Sequence, residues 1–436
     1  MTVKSFLIAI VLFVCCLACK QKEALVNINE VAIDYVKLGL SLGQYDTSFV
    51  DAYYGPDSLK PTSGPRPVIP KDSLMDAIDS MKVKLEKIII SPQTNDTIRM
   101  RARWMTRQLT AFKMRIRIFT GELASFDEET LQLFDVKVPT FNEQHFQTLV
   151  AKLDKVLPGK GAINERYRNL HDKFTISKDK VDTLFKIALN EARKRTKTKL
   201  QLPEGETCTL EFVSNKPWSG NNLYKRNYTS LIQINTDLPF NIIDAIDFAC
   251  HEGYPGHHVF NMMREKTILH DKGWVEGSLY PLFSPLSIIG EGTAEYGIEM
   301  AFPKDDYKQF IKEVLLPLAD LDTTYFEKYF NAFLLKKQLN YYRNEIARGA
   351  INGTMSNEEI LTWQLNYGLL SREEADFILR FIKKYRSYVI CYNYGQDLVR
   401  NYVRANSGLP ENDKTQWQVF SWLLCNLVTP SDLLPE

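Results

Sequence analysis

The stretch FACHEGYPGHHVFNMM (248–263) holds three of the chain's six histidines, His251, His257 and His258, within eight residues, and Glu252 follows the first of them directly. Just upstream, NIIDAIDFACHE (241–252) has helical spacing. Ile242, Ile246 and Ala249 fall on one side, and Asp244, Asp247 and His251 on another. A histidine on that polar stripe is available to a site. Asp247, four residues earlier, stands where a carboxylate can accept the second ring N–H of a metal-binding histidine; an ion pair on the helix surface is the alternative for it.

Many zinc hydrolases hold their metal with two histidines four residues apart on a helix, the Glu between them activating water. That spacing is absent here, because Pro255 occupies the second histidine's place. In an unbroken helix His258 would stand about 10 Å along the axis from His251, too far for both to reach one ion. Pro255 and Gly256 disfavour an unbroken helix. A loop or bulge there is therefore expected to bring a second histidine back beside the first, and spacing leaves His257 and His258 both open. A zinc site of this class needs a third protein ligand and an open position. LSIIGEGTAEYGIEM (286–300) offers Glu291 and Glu295, four apart on a face shared with Ile288 and Ile298.

The surroundings are mostly helical. IRMRARWMTRQLTAFKMRIRIF (98–119) places Met105, Leu109, Phe112 and Ile116 on one face and arginines on the other, which reads as a solvated surface. Ser177 opens a helix carrying Val181, Leu184, Phe185 and Ala188, with a basic end suited to a helix C-terminus. Ser356 with Glu359 and Ser371 with Glu374 match the capping box. Between these lie a five-proline break at 55–73 and one alternating, β-branched stretch at about 206–239, with SGNN as a turn. The predicted fold is mainly α with one small antiparallel sheet immediately before the histidine helix. SLIQIN (230–235) is the candidate strand for holding an extended peptide by backbone pairing; closing the core is its other reading.

With 436 residues, 44% hydrophobic and 25% charged, the chain can bury a large core. Lys+Arg 54 against Asp+Glu 53, with no basic cluster among stacking aromatics, argues against nucleic acid as a partner. The leader MTVKSFLIAIVLFVCCLACKQKE has an apolar run, Phe6 to Ala18, too short to span a bilayer comfortably. Its CLAC (16–19) resembles the lipobox of bacterial lipoproteins, with Cys16 where Leu is usual. The implied product is a lipoprotein anchored in the cell envelope through a lipid on Cys19, after removal of the signal peptide. The expected organisation is a signal segment 1–19, an N-terminal helical region 20–175 and a catalytic region 176–436. Cys208, Cys250, Cys391 and Cys425 show no CxxC spacing and read as free thiols rather than disulfides.

HEGYPGHH (251–258) followed by GEGTAEY (290–296) resembles the bacterial family called domain of unknown function 885, whose members carry HExxPGHH and then an EGW-A type segment. The likeness covers roughly residues 170 to 400. It implies a multi-helical, zincin-like metallohydrolase fold grouped with thimet oligopeptidase and the carboxypeptidases of the Taq kind. It implies His251, His257 and Glu291 as zinc ligands and Glu252 as general base, with His258 the alternative ligand and Glu295 either supporting or replacing Glu291. Two departures stand out. Thr293 occupies the family's Trp position. YNYGQDLVRNY (392–402) keeps Gly395 and Gln396 but has Tyr394 for Pro and Arg400 for Tyr, leaving Tyr392, Tyr394, Arg400 and Tyr402 as candidates to stabilise an oxyanion.

The expectation is a zinc-dependent hydrolase, foremost a metallopeptidase acting on short peptides. A zinc hydrolase of another amide or ester, and a lipoprotein that binds peptide or metal without turnover, are the alternatives. Burial of three histidines without a metal is disfavoured by its cost.

Overall fold

The computed structural model describes residues 26–216, 218–237, 239–408 and 413–435. The leader and Cys19 lie outside them. Helix α1 (Ile28–Leu42) starts at Asn27, whose side chain accepts from the Asn29 N–H, and buries Val31, Ala32, Tyr35 and Val36. A short strand, β1 (Val50–Tyr53), follows, and the prolines of 55–73 then carry the chain to α2 (Lys71–Ile90) and α3 (Asp96–Phe119).

The apolar face read on α3 is buried, Met105, Leu109, Phe112 and Ile116 included. Its arginine face is not simply solvated. Arg101 is buried and forks onto Glu276 (Nε–Oε1 2.5 Å, Nη2–Oε2 3.0 Å), and Arg115 pairs with Asp46 at 2.6 Å. A buried charge persists only when it is paired, and the Glu276 partner is 175 residues away, beyond what local periodicity can register. Helices α4 (Phe126–Phe134), α5 (Glu143–Val156), α6 (Ile163–His171) and α7 (Lys178–Lys197) follow. Ser177 occupies the N-cap position of α7, and Lys194, Arg195 and Lys197 fill its last turn.

The β region forms β2 (Thr207–Val213), β3 (Gly220–Tyr224) and β4 (Thr229–Asn235). The predicted antiparallel sheet is in fact mixed. The order is β2-β4-β3, with β4 antiparallel to β3 but parallel to β2. Alternation marks a strand without naming its neighbour: SGNN, read as a turn, is the start of β3, and the tight turn lies instead at Arg226–Tyr228, where three successive residues have positive φ. A second sheet, unforeseen, pairs β1 antiparallel with β5 (Leu279–Pro281), two strands too short and too distant to show in a sequence window.

Beyond β4 come α8 (Asp244–Phe248), which continues as a π-helical turn over Ala249–Gly253, then α9 (His257–Arg264) and α10 (Pro285–Ala301). Later helices include α11 (Phe326–Gln338), α12 (Tyr342–Asn352), α13 (Asn357–Asn366), α14 (Arg372–Tyr385), α15 (Ile390–Asn406) and α16 (Asp413–Cys425). Both predicted capping boxes are present, opening α13 and α14. Helix α10 is the central post, buried throughout except at Glu295 and Glu299. It meets α15 backbone to backbone: a Cβ on Gly292 would lie 2.3 Å from the Gly395 carbonyl oxygen, so glycine is required there. The hydrophobic core is continuous from α1 through α16 and crosses the boundary near residue 175. Among the described residues no helix is long and apolar enough to cross a membrane. Cys208, Cys250, Cys391 and Cys425 are free thiols, Cys250 and Cys391 buried.

Candidate metal centre

The π turn ends at Tyr254, and the chain then doubles back through Pro255 and Gly256 into α9. The Tyr254 N–H donates to the Ala249 carbonyl at 3.0 Å and the Gly256 N–H to the Cys250 carbonyl at 2.9 Å. The return is so close that a Cβ on Gly256 would stand 1.9 Å from the His251 carbonyl oxygen. Glycine is thus what allows the next residue, His257, to face His251. Their ring centroids are 4.8 Å apart and nearly perpendicular.

Glu291, presented by α10, completes the group. Its Oε2 lies 3.3 Å from His251 Nε2 and 3.5 Å from His257 Nε2, and one ligand atom from each of the three residues falls within 4.8 Å of the others. Glu291 Oε2 is buried and makes no hydrogen bond of proper geometry. The other oxygen, Oε1, accepts the Tyr388 hydroxyl at 2.7 Å. Two imidazoles and a carboxylate, aimed at a shared point rather than bonded to one another, form a donor set that fits zinc. Burial opposes charge on all three. It is outweighed for Glu291, held well below the carboxylate range by His257 and His251, and for His251, raised well above the imidazole range by Glu291 and Glu295. His257 is raised in the same way by Glu291.

Glu252 sits beside this group, 5% exposed, with Oε2 buried and without a partner. Burial raises its carboxyl above the usual value, and His251 and His257 pull it back. Its backbone carbonyl accepts from Asn222 Nδ2 at 2.6 Å, fixing the turn to β3. Two cavities of about 420 and 110 Å³ share Trp218, Gly220, His251, Glu252, Phe381 and Tyr392 in their walls.

The structure places apart several residues that spacing left as alternatives. His258 is fully buried away from the group, with Nδ1 2.8 Å from Ser230 Oγ and Nε2 3.3 Å from Glu206 Oε2. Glu295 lies 3.3 Å from His251 Nδ1 and so supports that ring instead of replacing Glu291. That corrects the role read for Asp247, whose carboxylate accepts the Tyr307 hydroxyl at 2.6 Å. Strand β4, which carries SLIQIN, is central and has no free edge; β3 is the edge strand at the cavity, with Gly220, Asn221 and Asn222 in its wall. Thr293 does not line the cavities, since it is buried and its hydroxyl donates to the Gly290 carbonyl.

Of the four oxyanion candidates, only Tyr392 lines the cavities, its ring 6.2 Å from His251 and nearly parallel to it. Arg400 is tied to Glu299 and Asp397, and Tyr402 stacks on Trp422. Sequence reasoning missed Tyr388, one helical turn before Tyr392. It also missed Asp51 on β1, which lines the smaller cavity. Desolvation by the cavity wall raises the Asp51 carboxyl to about 6, with His257 opposing and Glu291 and Glu252 adding.

No family model matches the chain, and no curated protein matches it. Among solved structures it is similar to a candidate lipoprotein from Colwellia psychrerythraea, at 13% identity and a TM-score of 0.51, over 83% of this chain and 68% of that one. It is also similar to a candidate lipoprotein of unknown function from Shewanella oneidensis, at 13% identity and a TM-score of 0.44, over 82% and 71%. At this identity the first likeness shows a shared fold.

Proposed function

We propose that this chain is a zinc-dependent hydrolase of the zincin-like kind, with short peptides as its substrate class. The observation that carries this reading is the convergence of His251, His257 and Glu291 on one point, with Glu291 Oε2 within ion-pair distance of both rings but hydrogen-bonded to neither, and Glu252 Oε2 buried without a partner. A buried carboxylate oxygen left unbonded costs on the order of 1–3 kcal/mol or more. A metal ion would supply the missing partner of the first oxygen, and a water molecule that of the second. An unpartnered base beside the ligand group favours turnover over mere metal binding.

Held by these three side chains, zinc supplies Lewis acidity toward water and toward a carbonyl oxygen. Glu252 Oε2 takes the proton from the attacking water and delivers it to the departing amine nitrogen. Tyr392, kept protonated by burial that raises its hydroxyl well above the ordinary value, is the donor available to the developing oxyanion. Strand β3 offers an unpaired backbone edge at the cavity, suited to an extended peptide added antiparallel or parallel to it. CLAC at 16–19, with a similar fold in a protein described as a candidate lipoprotein, supports a lipid anchor at Cys19 and a place in the cell envelope.

The test is metal content of the full chain by mass spectrometry, with peptide hydrolysis measured on the same samples. About one zinc per chain is expected in the wild type and in Glu252→Gln, and none in His251→Ala. Hydrolysis is expected to be lost in His251→Ala and strongly lowered in Glu252→Gln. A folded wild-type chain purified without chelators that binds no metal overturns the proposal.

A further inference from the structure

The larger cavity shares Asp244, Asp247, Glu295 and Arg343 with a further cavity of about 250 Å³. Three cations line that inner chamber, Lys336 and Lys337 at the end of α11 and Arg343 at the start of α12. Among the described residues none of the three has a counter-ion within ion-pair distance. Lys336 Nζ lies over the Tyr167 ring at 4.9 Å, and Lys337 Nζ over Phe333 at 5.7 Å. Arg343 Nε is buried with no hydrogen-bond partner, and so is the hydroxyl of Tyr342, a residue only 3% exposed that lines the same chamber.

The carboxylates in the wall attract these cations only beyond ion-pair distance, Asp244 acting on Lys336 and Asp247 and Glu295 on Lys337, and each is engaged by another group. Asp244 accepts the Asn241 N–H at 2.7 Å, Asp247 accepts the Tyr307 hydroxyl, and Glu295 faces His251. Burial raises Asp244 to about 7 and lowers Lys336 to about 8, so it weakens the charge of both. Two buried donors, Arg343 Nε and the Tyr342 hydroxyl, are costly to leave without an acceptor, and a guanidinium fork matches a carboxylate.

We propose that the chamber lined by Lys336, Lys337, Arg343 and Tyr342 receives a carboxylate of the substrate. The preferred substrates are then short peptides with a negative group a residue or so from the scissile bond, either the C-terminal carboxylate or an acidic side chain. This rests on the hydrolase reading for the word substrate, but the anion chamber stands on its own residues.

Binding is measured by calorimetry on full-length Glu252→Gln, which holds peptide without cleaving it. The probes are the tripeptide Phe-Ala-Ala as free acid, its C-terminal amide, and the amide of Phe-Ala-Glu. At least one acidic peptide is expected to bind about ten-fold or more tightly than the neutral amide, in keeping with a charge-assisted contact. Preference for the free acid assigns the chamber to the C-terminus, and preference for the Glu amide assigns it to a side chain. Adding Arg343→Gln is expected to bring the acidic peptide down to the level of the neutral one. Lys337→Gln, at an exposed position that folding tolerates, is expected to narrow the gap and carries the test if the Arg343 variant does not fold. Equal affinities for all three peptides overturn the proposal. Equal hydrolysis of all three by zinc-loaded wild type overturns it too, while leaving the hydrolase reading intact. Discrimination by binding without hydrolysis sustains the chamber and overturns the hydrolase.

Discussion

His257 and His258 are neighbours in the chain and opposites in the structure. Successive residues of a helix point about 100° apart, so at the start of α9 one ring faces α10 and the other the β sheet. His257 meets Glu291, whose Oε2 has no bonded partner, next to Glu252 in the same condition. His258 meets Glu206, whose carboxylate is filled by Arg193 Nε at 2.8 Å, by the Tyr254 hydroxyl and by His258 itself, while Ser230 serves the other ring nitrogen. Two glutamate–histidine clusters share one turn of helix, one saturated and one open. The filled cluster is packed beneath the sheet, and the open one lines the cavity.

The sharpest way to break that comparison is to delete each ring. His257→Ala is expected to abolish zinc retention and to lower hydrolysis by about a thousand-fold or more. His258→Ala is expected to keep the metal and lose stability instead, so metal content and thermal unfolding measured together separate the two. If both variants lose zinc equally, the division is wrong. Glu252→Gln should lower kcat by roughly a hundred- to ten-thousand-fold with zinc still bound, and a variant that keeps wild-type kcat removes Glu252 as the base.

On the saturated side, Glu206→Gln is expected to destabilise the fold by about 2–3 kcal/mol without loss of zinc. Hydrogen bonds from His258, Tyr254 and Arg193, outweighing burial, hold Glu206 at about 2, below an unfolded value near 4.5. Its contribution is therefore complete above about pH 4.5 and lost as pH falls toward 2. Denaturant titrations across that window should show an acid-side decline in the wild type that the variant lacks. The smallest effect belongs to Tyr388→Phe, which removes the hydroxyl that orients Glu291 and should weaken zinc affinity by about ten-fold, read by competition with a chelator.

How much of this was legible in the sequence depended on distance along the chain. The histidine turn was readable because the proline and glycine that break the helix lie within it, and Glu291 and Glu295 because their spacing places them on one helical face. Packing between α9, α10 and the sheet turns His257 toward Glu291, His258 toward Glu206 and Glu295 toward His251, which spacing alone does not show. Asp247 has the right spacing for His251, but Tyr307 lies closer to its oxygen. SLIQIN has the right alternation for an edge strand, yet β2 takes its other side. Tyr388, Asp51 and the Arg101–Glu276 pair depend on contacts across much of the chain, which no local period records.

The pairing of β1 with β5 has a consequence for how the molecule is made. The Tyr54 hydroxyl just beyond β1 donates to Gly277, 223 residues later. At a ribosome's pace of roughly 5–20 residues per second, the strand that carries Asp51 waits on the order of tens of seconds for its partner. Through that interval α1 to α3 can collapse around it, but its backbone edge stays open to any other chain. The rim of the cavity therefore stays open at this edge until residue 281 of 436 has been made, and it needs protection until then.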